Sequence, residues 1–317
     1  MTRYAVGLGS NVGDRLGHIQ RARAGLDELG TSVIVSPLYE SAPVGGPDQD
    51  PYLNAVAVLD SNLTPDELLA RLHDIEHQEG REREVHWGPR TLDLDIVSSD
   101  NPPIDTEDLT VPHPRAVERE FVLRPLVEVW PEAPVAPGVA ASDALTGVGA
   151  QGVDLLARSW GPQRPTWPGF ALVGGQIALI LALAVTLALD AEIPENGVTV
   201  SLVAGAASAL LGLGLALAAV LRLGDSLTAS PIPLPNSSMV DSGPYRHVRH
   251  PIYGGISLMA IGASLMLDSL WGMAVSLVLL AYLWVKSSYE ERQLRMRYAG
   301  YRGYRERVTK RLIPMLL

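Results

Sequence analysis

Asp93 and Asp95, in the run Trp87-Gly88-Pro89-Arg90-Thr91-Leu92-Asp93-Leu94-Asp95-Ile96, are the residues whose type and spacing speak most directly of chemistry. On a strand, alternate side chains share a face, so Leu92, Leu94 and Ile96 turn to a core while both acids turn away from it. Their Cα atoms then lie about 7 Å apart. Two carboxylates at that spacing repel by about 2 kcal/mol at an effective dielectric of about 20. A hard cation relieves the repulsion, and a small set of oxygen ligands suits Mg²⁺ carrying the phosphates of a nucleotide. From the pair alone, a solvated strand face with two acids is the better reading. The neighbours favour the metal: Arg81, Arg83, His86 and Arg90 crowd the approach as a phosphate clamp would. His113 and Arg119 add further polar groups, completing the parts needed for phosphoryl transfer.

The elements that must position these groups follow in a regular order. Tyr4–Leu8 reads as a strand that breaks at Gly7, Gly9 and Gly13, and a helical pattern runs from Leu16 to Leu29. Val33–Glu40 and Leu53–Leu59 are β-type runs. Thr64-Pro65-Asp66-Glu67 opens a helix with a capping residue, a first-turn proline and first-turn acids, and that helix reaches about Gln78 before Gly80. Thr91–Val97 closes the series. The order β-α-β-β-α-β predicts an α+β ferredoxin-like domain, a sheet with helices on one face. Ser142–Trp160 is expected to add a last helix, and residues 161–169, rich in Gly and Pro, read as a linker. The domain boundaries are thus 1–160 and 170–317.

The 317 residues carry 35 Asp and Glu against 25 Lys and Arg. That acidic balance argues against a nucleic-acid partner, which needs a basic surface to meet phosphates. The chain has no cysteine, which excludes disulfides, thiolate zinc sites and a thiol nucleophile. The opening MTRYAVGLGSNVGD lacks an apolar core of signal-peptide length, so the first domain is expected in the cytosol.

A family resemblance covers residues 3 to 132. It is carried by Gly7-Leu8-Gly9-Ser10-Asn11-Val12-Gly13-Asp14, Tyr52-Leu53-Asn54, Ile75-Glu76, Gly80-Arg81-Glu82-Arg83, the Trp87–Ile96 run, Val111-Pro112-His113-Pro114 and Arg119–Leu126, in that order. Together they resemble 6-hydroxymethyl-7,8-dihydropterin pyrophosphokinase of folate synthesis. The same glycines miss the G-x-G-x-x-G spacing, so a dinucleotide-binding reading fails. The resemblance implies that Asp93 and Asp95 hold two Mg²⁺ ions bridging the ATP phosphates. It implies that Arg81, Arg83 and Arg90 steady the triphosphate on a loop that closes with Trp87, and that Glu76, Thr110, His113 and Arg119 contact ATP. Asn54 would bond the pterin ring, Tyr52 and Phe121 would stack on it, and Ser41, Ala42 and Val44 would line its pocket. The loop Arg81–Trp87 is one residue shorter than is usual in the family, with His86 where a basic side chain is common.

After residue 169 the solvent changes. Phe170–Leu189 and Val198–Leu221 are apolar runs of spanning length, and Ile252–Leu267 and Leu270–Val285 are shorter ones separated by Asp268-Ser269. They predict an all-α transmembrane domain of about four spans in a lipid bilayer. The acidic loop 190–197 and the arginines after Leu221 and Lys286 put the first domain, both basic segments and the C-terminal tail in the cytoplasm. Gly243-Pro244-Tyr245-Arg246-His247-Val248-Arg249-His250-Pro251-Ile252-Tyr253-Gly254 stands at the third span, and Tyr289-Glu290-Glu291 with a tyrosine-rich tail follows the fourth. Alone, such a cluster reads as an interfacial anchor. Together the segments resemble the isoprenylcysteine carboxyl methyltransferase and phospholipid methyltransferase family. That implies S-adenosylmethionine held by Arg249, His250, Pro251, Tyr253, Glu290 and Glu291, with a lipophilic methyl acceptor of unspecified identity. The tail has Tyr298-Ala299-Gly300 where Phe-Gly is commoner. The leading reading is therefore a pterin kinase joined to a membrane methyltransferase. The alternatives are the same kinase on a non-catalytic anchor, and a degenerate module that binds pterin or nucleotide.

Overall fold

The computed structural model describes residues 1–45, 47–80, 88–160, 167–190, 199–228, 230, 233 and 239–313. Arg81, Arg83, His86 and Trp87 lie outside the described residues. The chain divides into two units, Met1–Gln163 with Met296–Gly300, and Arg164–Arg295 with Tyr301–Leu317.

In the first unit the elements are β1 (Thr2–Ser10), α1 (Arg15–Leu29), β2 (Thr31–Val35), β3 (Leu38–Ser41), β4 (Tyr52–Ser61), α2 (Pro65–Gln78), β5 (Asp93–Ser99), β6 (Ile104–Asp105) and β7 (Thr110–Val111). There follow α3 (Glu120–Val129), β8 (Pro134–Ala136), β9 (Val139–Ala140), α4 (Ala141–Gly147) and β10 (Asp154–Ala157). Local chemistry sets the helix starts. Asp14 accepts from the Gly17 N–H at 3.0 Å to begin α1. Thr64 and Glu67 form a reciprocal capping box ahead of Pro65 to begin α2.

The main sheet runs β10-β3-β4-β1-β5, with β2 also paired to β4. All of its pairings are antiparallel. Because side chains alternate, the strands present two different faces. Val6, Leu8, Leu53, Leu94 and Ile96 pack on one face with Leu16, Ile19 and Leu26 of α1 and Leu68 and Leu72 of α2. Ala5, Val56, Val58 and Val97 pack on the other with Leu123 and Leu126 of α3 and Ala141 of α4. Helices therefore cover both faces, where the β-α-β-β-α-β reading placed them on one; the second layer comes from chain beyond that unit.

The last helix expected over Ser142–Trp160 is also corrected. Helix α4 stops at Gly147, and Gly152, at φ +73°, turns the chain into β10. The left-handed backbone there suits glycine. Strand β10 pairs Asp154 with Glu40 and Leu155 with Tyr39, and so extends the sheet.

The second unit contains α5 (Trp167–Leu189), α6 (Val200–Leu223), α7 (Pro251–Met266), all but the last two residues of α8 (Leu270–Arg297) and the short α9 (Tyr301–Arg307). Residues Gly169–Leu189, Val200–Leu223 and Leu270–Arg297 form three helices long and apolar enough to cross a membrane. Helix α7 has 16 residues, about 24 Å against a hydrocarbon core of roughly 30 Å. The third of the four expected spans is thus a shorter apolar helix.

Helices α6 and α7 meet backbone to backbone. A methyl group at Gly205 would fall 2.6 Å from the Gly262 carbonyl oxygen, and one at Gly212 would fall 2.6 Å from that of Gly255. The relation is reciprocal: Gly255 and Gly262 would meet the carbonyl oxygens of Gly212 and Gly205 at 2.5 and 2.6 Å. Close approach of this kind is how apolar helices associate where no hydrophobic drive separates them from lipid. Gly212→Leu should therefore force the pair apart, costing about 1–3 kcal/mol or more. The thermal midpoint of the detergent-solubilised chain should fall, whereas Gly214→Leu, with open space around it, should leave the midpoint unchanged.

Candidate active site and a second polar centre

The first site grows out of the β1–β5 register. Asp93 lies opposite Gly9 and Asp95 opposite Gly7, while Gly9 pairs across β1 with Asn54 and Gly7 with Val56. Glycines stand where side chains would fill the space over the sheet. A Cβ at Gly9 would sit 3.7 Å from the Cβ of Asp93 and 3.8 Å from the Tyr52 ring. The resulting cavity of about 290 Å³ has Asp93 and Asp95 on its floor and Ser41, Ala42, Val44, Tyr52, Asn54, Arg90, His113, Arg119 and Phe121 around it. The G-x-G of β1 thus clears a floor.

Each lining group is held by its own element. Asn54 donates to Ser41 Oγ at 3.0 Å, and Arg90 pairs with Asp93. The Arg90 backbone is gripped by Asn11, which accepts from Arg90 N at 2.7 Å and donates its own N–H to Arg90 O at 3.0 Å. His113 N donates to Val97 O at 2.9 Å. The His113 ring accepts from Arg115 N at Nδ1, 3.1 Å away, which leaves the proton of the neutral ring on Nε2. Burial pushes the His113 pKa down, opposed in part by the Asp95 charge. The Arg119 guanidinium lies 5.6 Å from the Phe121 ring centre. Between β3 and α3, Tyr39 donates to Glu128 at 3.1 Å. Burial and that carboxylate push its phenol up to about 12.

Two of the sequence-derived residues stand apart from this cavity. Thr110 lines an adjoining cleft that shares Asp95 and His113 with it and brings in His73. Glu76 lines neither cavity. Its carboxylate is 2% exposed and accepts the Leu94 N–H at 2.7 Å, between the two aspartates. Its place is behind the site, holding β5. Gln49, Arg115, Val122 and His73 also line these cavities. The sequence held no signal for them beyond the neighbouring motifs.

The donor set fits Mg²⁺. Among the described residues no cluster of three or more His, Cys, Asp or Glu forms an all-protein cage, and Mg²⁺ is ordinarily held by one or two carboxylates with phosphates and water completing the octahedron.

The second polar centre lies at the start of α7. Pro251 occupies the first helical position, and His250 is the cap. Arg249 Nε donates to Glu291 at 2.8 Å, and His250 Nε2 lies 3.3 Å from the same carboxylate. Arg311 reaches it at 3.1 Å and Arg305 at 3.7 Å. Tyr253 donates to Glu290 at 2.8 Å, with its ring parallel to that of His250 at 5.6 Å. The tail is strapped to this turn: Arg249 N and His250 N donate to the carbonyls of Lys310 and Arg311 at 3.0 and 2.8 Å. Gly254 leaves room for the Leu312 carbonyl, which a methyl there would strike at 1.8 Å. Tyr301, 3% exposed, has a hydroxyl with no hydrogen-bond partner among the described residues. Burial beside Glu291 and Glu290 drives its pKa up, so it stays a donor. Sequence reasoning passed over Lys286, which is 2% exposed and bonds Gln176 at 2.5 Å. Its signal is a lone cation ending an apolar run.

Residues 5–131 match the family 7,8-dihydro-6-hydroxymethylpterin-pyrophosphokinase, and residues 200–300 match phospholipid methyltransferase. A 2-amino-4-hydroxy-6-hydroxymethyldihydropteridine pyrophosphokinase of Bacillus subtilis is 47% identical over 126 residues, covering 39% of this chain and 75% of that protein. Its Pseudomonas aeruginosa counterpart is 40% identical over 156 residues, covering 49% and 96%. The bifunctional protein FolKE of Lactococcus lactis subsp. cremoris is 44% identical over 124 residues, covering 38% of this chain and 36% of that protein. A Plasmodium falciparum HPPK-DHPS crystal structure superposes with a TM-score of 0.35 at 15% identity, covering 46% of this chain and 43% of that one.

The Glu76 contact carries a prediction. Glu76→Leu leaves the Leu94 N–H buried without that acceptor, which costs about 1–3 kcal/mol. Thermal unfolding of the full chain should show a first-unit transition lowered accordingly, and Glu76→Gln, which keeps an acceptor oxygen, should restore most of it.

Proposed function

The chain belongs, through its N-terminal half, to the 2-amino-4-hydroxy-6-hydroxymethyldihydropteridine pyrophosphokinase family. On that premise we propose that it transfers the β,γ-pyrophosphoryl group of ATP to the hydroxymethyl oxygen of 6-hydroxymethyl-7,8-dihydropterin. The observation that carries this reading is one cavity with a carboxylate pair on its floor and Tyr52, Asn54 and Phe121 on its wall. We read the strand order β3-β4-β1-β5, with α1 and α2 on one face, as ferredoxin-like.

In this reading Asn54, fixed by Ser41, bonds the pterin ring, while Tyr52 and Phe121 stack on it and Ala42 and Val44 complete the pocket. Arg90, His113 and Arg119 bind the phosphates, and Thr110 lies on the nucleoside side in the adjoining cleft. Arg81, Arg83 and Trp87, which the family resemblance assigns to the triphosphate, lie outside the described residues. Asp93 and Asp95 would hold two Mg²⁺ ions, which supply neutralisation of the phosphate charge. The hydroxymethyl oxygen bonds to the β-phosphorus, the bond from that phosphorus to the α,β-bridging oxygen breaks, AMP leaves, and the hydroxyl proton is released. The chain's contribution is chiefly placement of two substrates and stabilisation of charge.

For the second unit we propose an S-adenosylmethionine-dependent methyltransferase in the membrane, with its basic segments, the first unit and the tail on the cytoplasmic side. S-adenosylmethionine would supply the methyl group. The orphaned, buried Tyr301 hydroxyl supports a polar ligand at this centre. Arg249, His250, Pro251, Tyr253, Glu290 and Glu291 are the groups that would hold it, and the methyl acceptor is lipophilic.

Two outcomes check these readings. Full-length chain in detergent, given ATP, Mg²⁺ and the pterin, should release AMP only when the pterin is present. Asp95→Ala should lower that rate at least a hundredfold, about 2.7 kcal/mol of transition-state stabilisation. Titration with S-adenosylmethionine should show binding that His250→Ala weakens at least tenfold. Absence of any binding by the parent chain would leave the second unit as an anchor.

A further inference from the structure

Behind the pterin-side wall lies an ion pair that no substrate can reach. Arg15, the first residue of α1, is 1% exposed, and Glu40 on β3 is 2% exposed. The guanidinium donates to the Glu40 carboxylate at 3.1 Å and, through its other nitrogen, to the Pro51 carbonyl at 2.6 Å. Strand alternation explains the placement. Glu40 pairs with Leu53, which packs in the layer under α1 and α2, so Glu40 points toward that layer. Its neighbour Ser41 points the other way, onto the cavity wall.

The two anchors of Arg15 are the residues directly before Ser41 and Tyr52. Those two face each other in the β3–β4 register, and the chain between them, which includes Ala42, Val44 and Gln49, forms one side of the cavity. One guanidinium therefore grips both ends of the cavity-forming loop. Arg is suited to this because its planar fork fixes direction as well as distance, which a lysine ammonium does not. Burying an ion pair is a poor route to stability, since desolvation offsets the attraction and apolar pairs of similar volume often serve as well.

We propose that Arg15 and Glu40 are positioning residues that set the width of the pterin pocket, acting through the Ser41 and Tyr52 ends of the loop; this rests on the pyrophosphokinase reading. The pair should govern pterin affinity and leave ATP affinity alone, because Asp93, Asp95 and His113 are carried by β5 and the chain after it.

The test uses the full-length chain in detergent. It compares the parent with Arg15→Leu/Glu40→Met, which replaces the pair by apolar groups, and with the milder Glu40→Gln and Arg15→Lys. The measurements are KM for pterin, KM for ATP, kcat and the thermal midpoint. The double variant should raise the pterin KM about tenfold, with the ATP KM within twofold and kcat lowered less than the pterin KM rises. Arg15→Lys and Glu40→Gln should fold and fall in between. A pterin KM unchanged in any variant that retains the parental midpoint would overturn the proposal, as would equal increases in both KM values. If the double variant does not fold, the milder two decide by the same criteria. Failure of the parent itself to release pterin-dependent AMP would instead defeat the pyrophosphokinase reading. The pocket proposal would then be judged by fluorescence titration of the pterin, with the same tenfold loss expected.

Discussion

The first unit is organised by the two-residue period of β5 and its register against β1. That period sends Leu94 and Ile96 into the layer under α1 and α2 and leaves Asp93 and Asp95 on the opposite side. A slip of one residue would bury both carboxylates and expose both aliphatic side chains, so the cost of the wrong register is paid in the core and in the site together. The register also places Gly9 and Gly7 beside the acids. The cavity is thus a by-product of correct sheet assembly, and the neighbouring groups need only be delivered to its rim. Asn11 does this for Arg90 and the β3–β4 pairing does it for Ser41 and Asn54.

The second unit solves a different problem with a different contact. Apolar side chains gain little by leaving lipid for one another, so α6 and α7 approach until glycine meets carbonyl at two levels seven residues apart. At the head of α7 the polar centre reverses that logic: Glu291 is ringed by Arg249, His250, Arg305 and Arg311. A buried carboxylate is tolerable there because its charge and its lone pairs are met at once. The tail carbonyls that bond Arg249 and His250 tie the end of the chain to the same point.

Much of this is legible in the sequence. The aspartate pair, the capped α2 and the apolar runs announce themselves because strand period, cap chemistry and hydrophobic length are local properties. The place of Glu76 is not: the family resemblance puts it at ATP, and the fold turns its carboxylate to the Leu94 N–H. Strand β10 was equally hidden. Asp154-Leu155-Leu156-Ala157 has no β-branched residue, and its conformation comes from lying beside β3. The helices on the second face of the sheet, α3 and α4, came from chain outside the β-α-β-β-α-β order. Helix α7 reads as a span because composition fixes how apolar a segment is, while its 16 residues, set between its capping turn and the Asp268-Ser269 break, fall short of a crossing.

Strand β5 lies at the border of its sheet, and a border strand is an invitation to any passing chain with free amides and carbonyls. Here the vacant side is already occupied at two points. The Leu94 N–H is taken by the Glu76 carboxylate, and the Val97 carbonyl by the His113 N–H. A side chain and a loop thus stand in for the missing neighbour strand. The acid that holds the aspartate-bearing strand from behind also takes an edge amide that a foreign sheet would need.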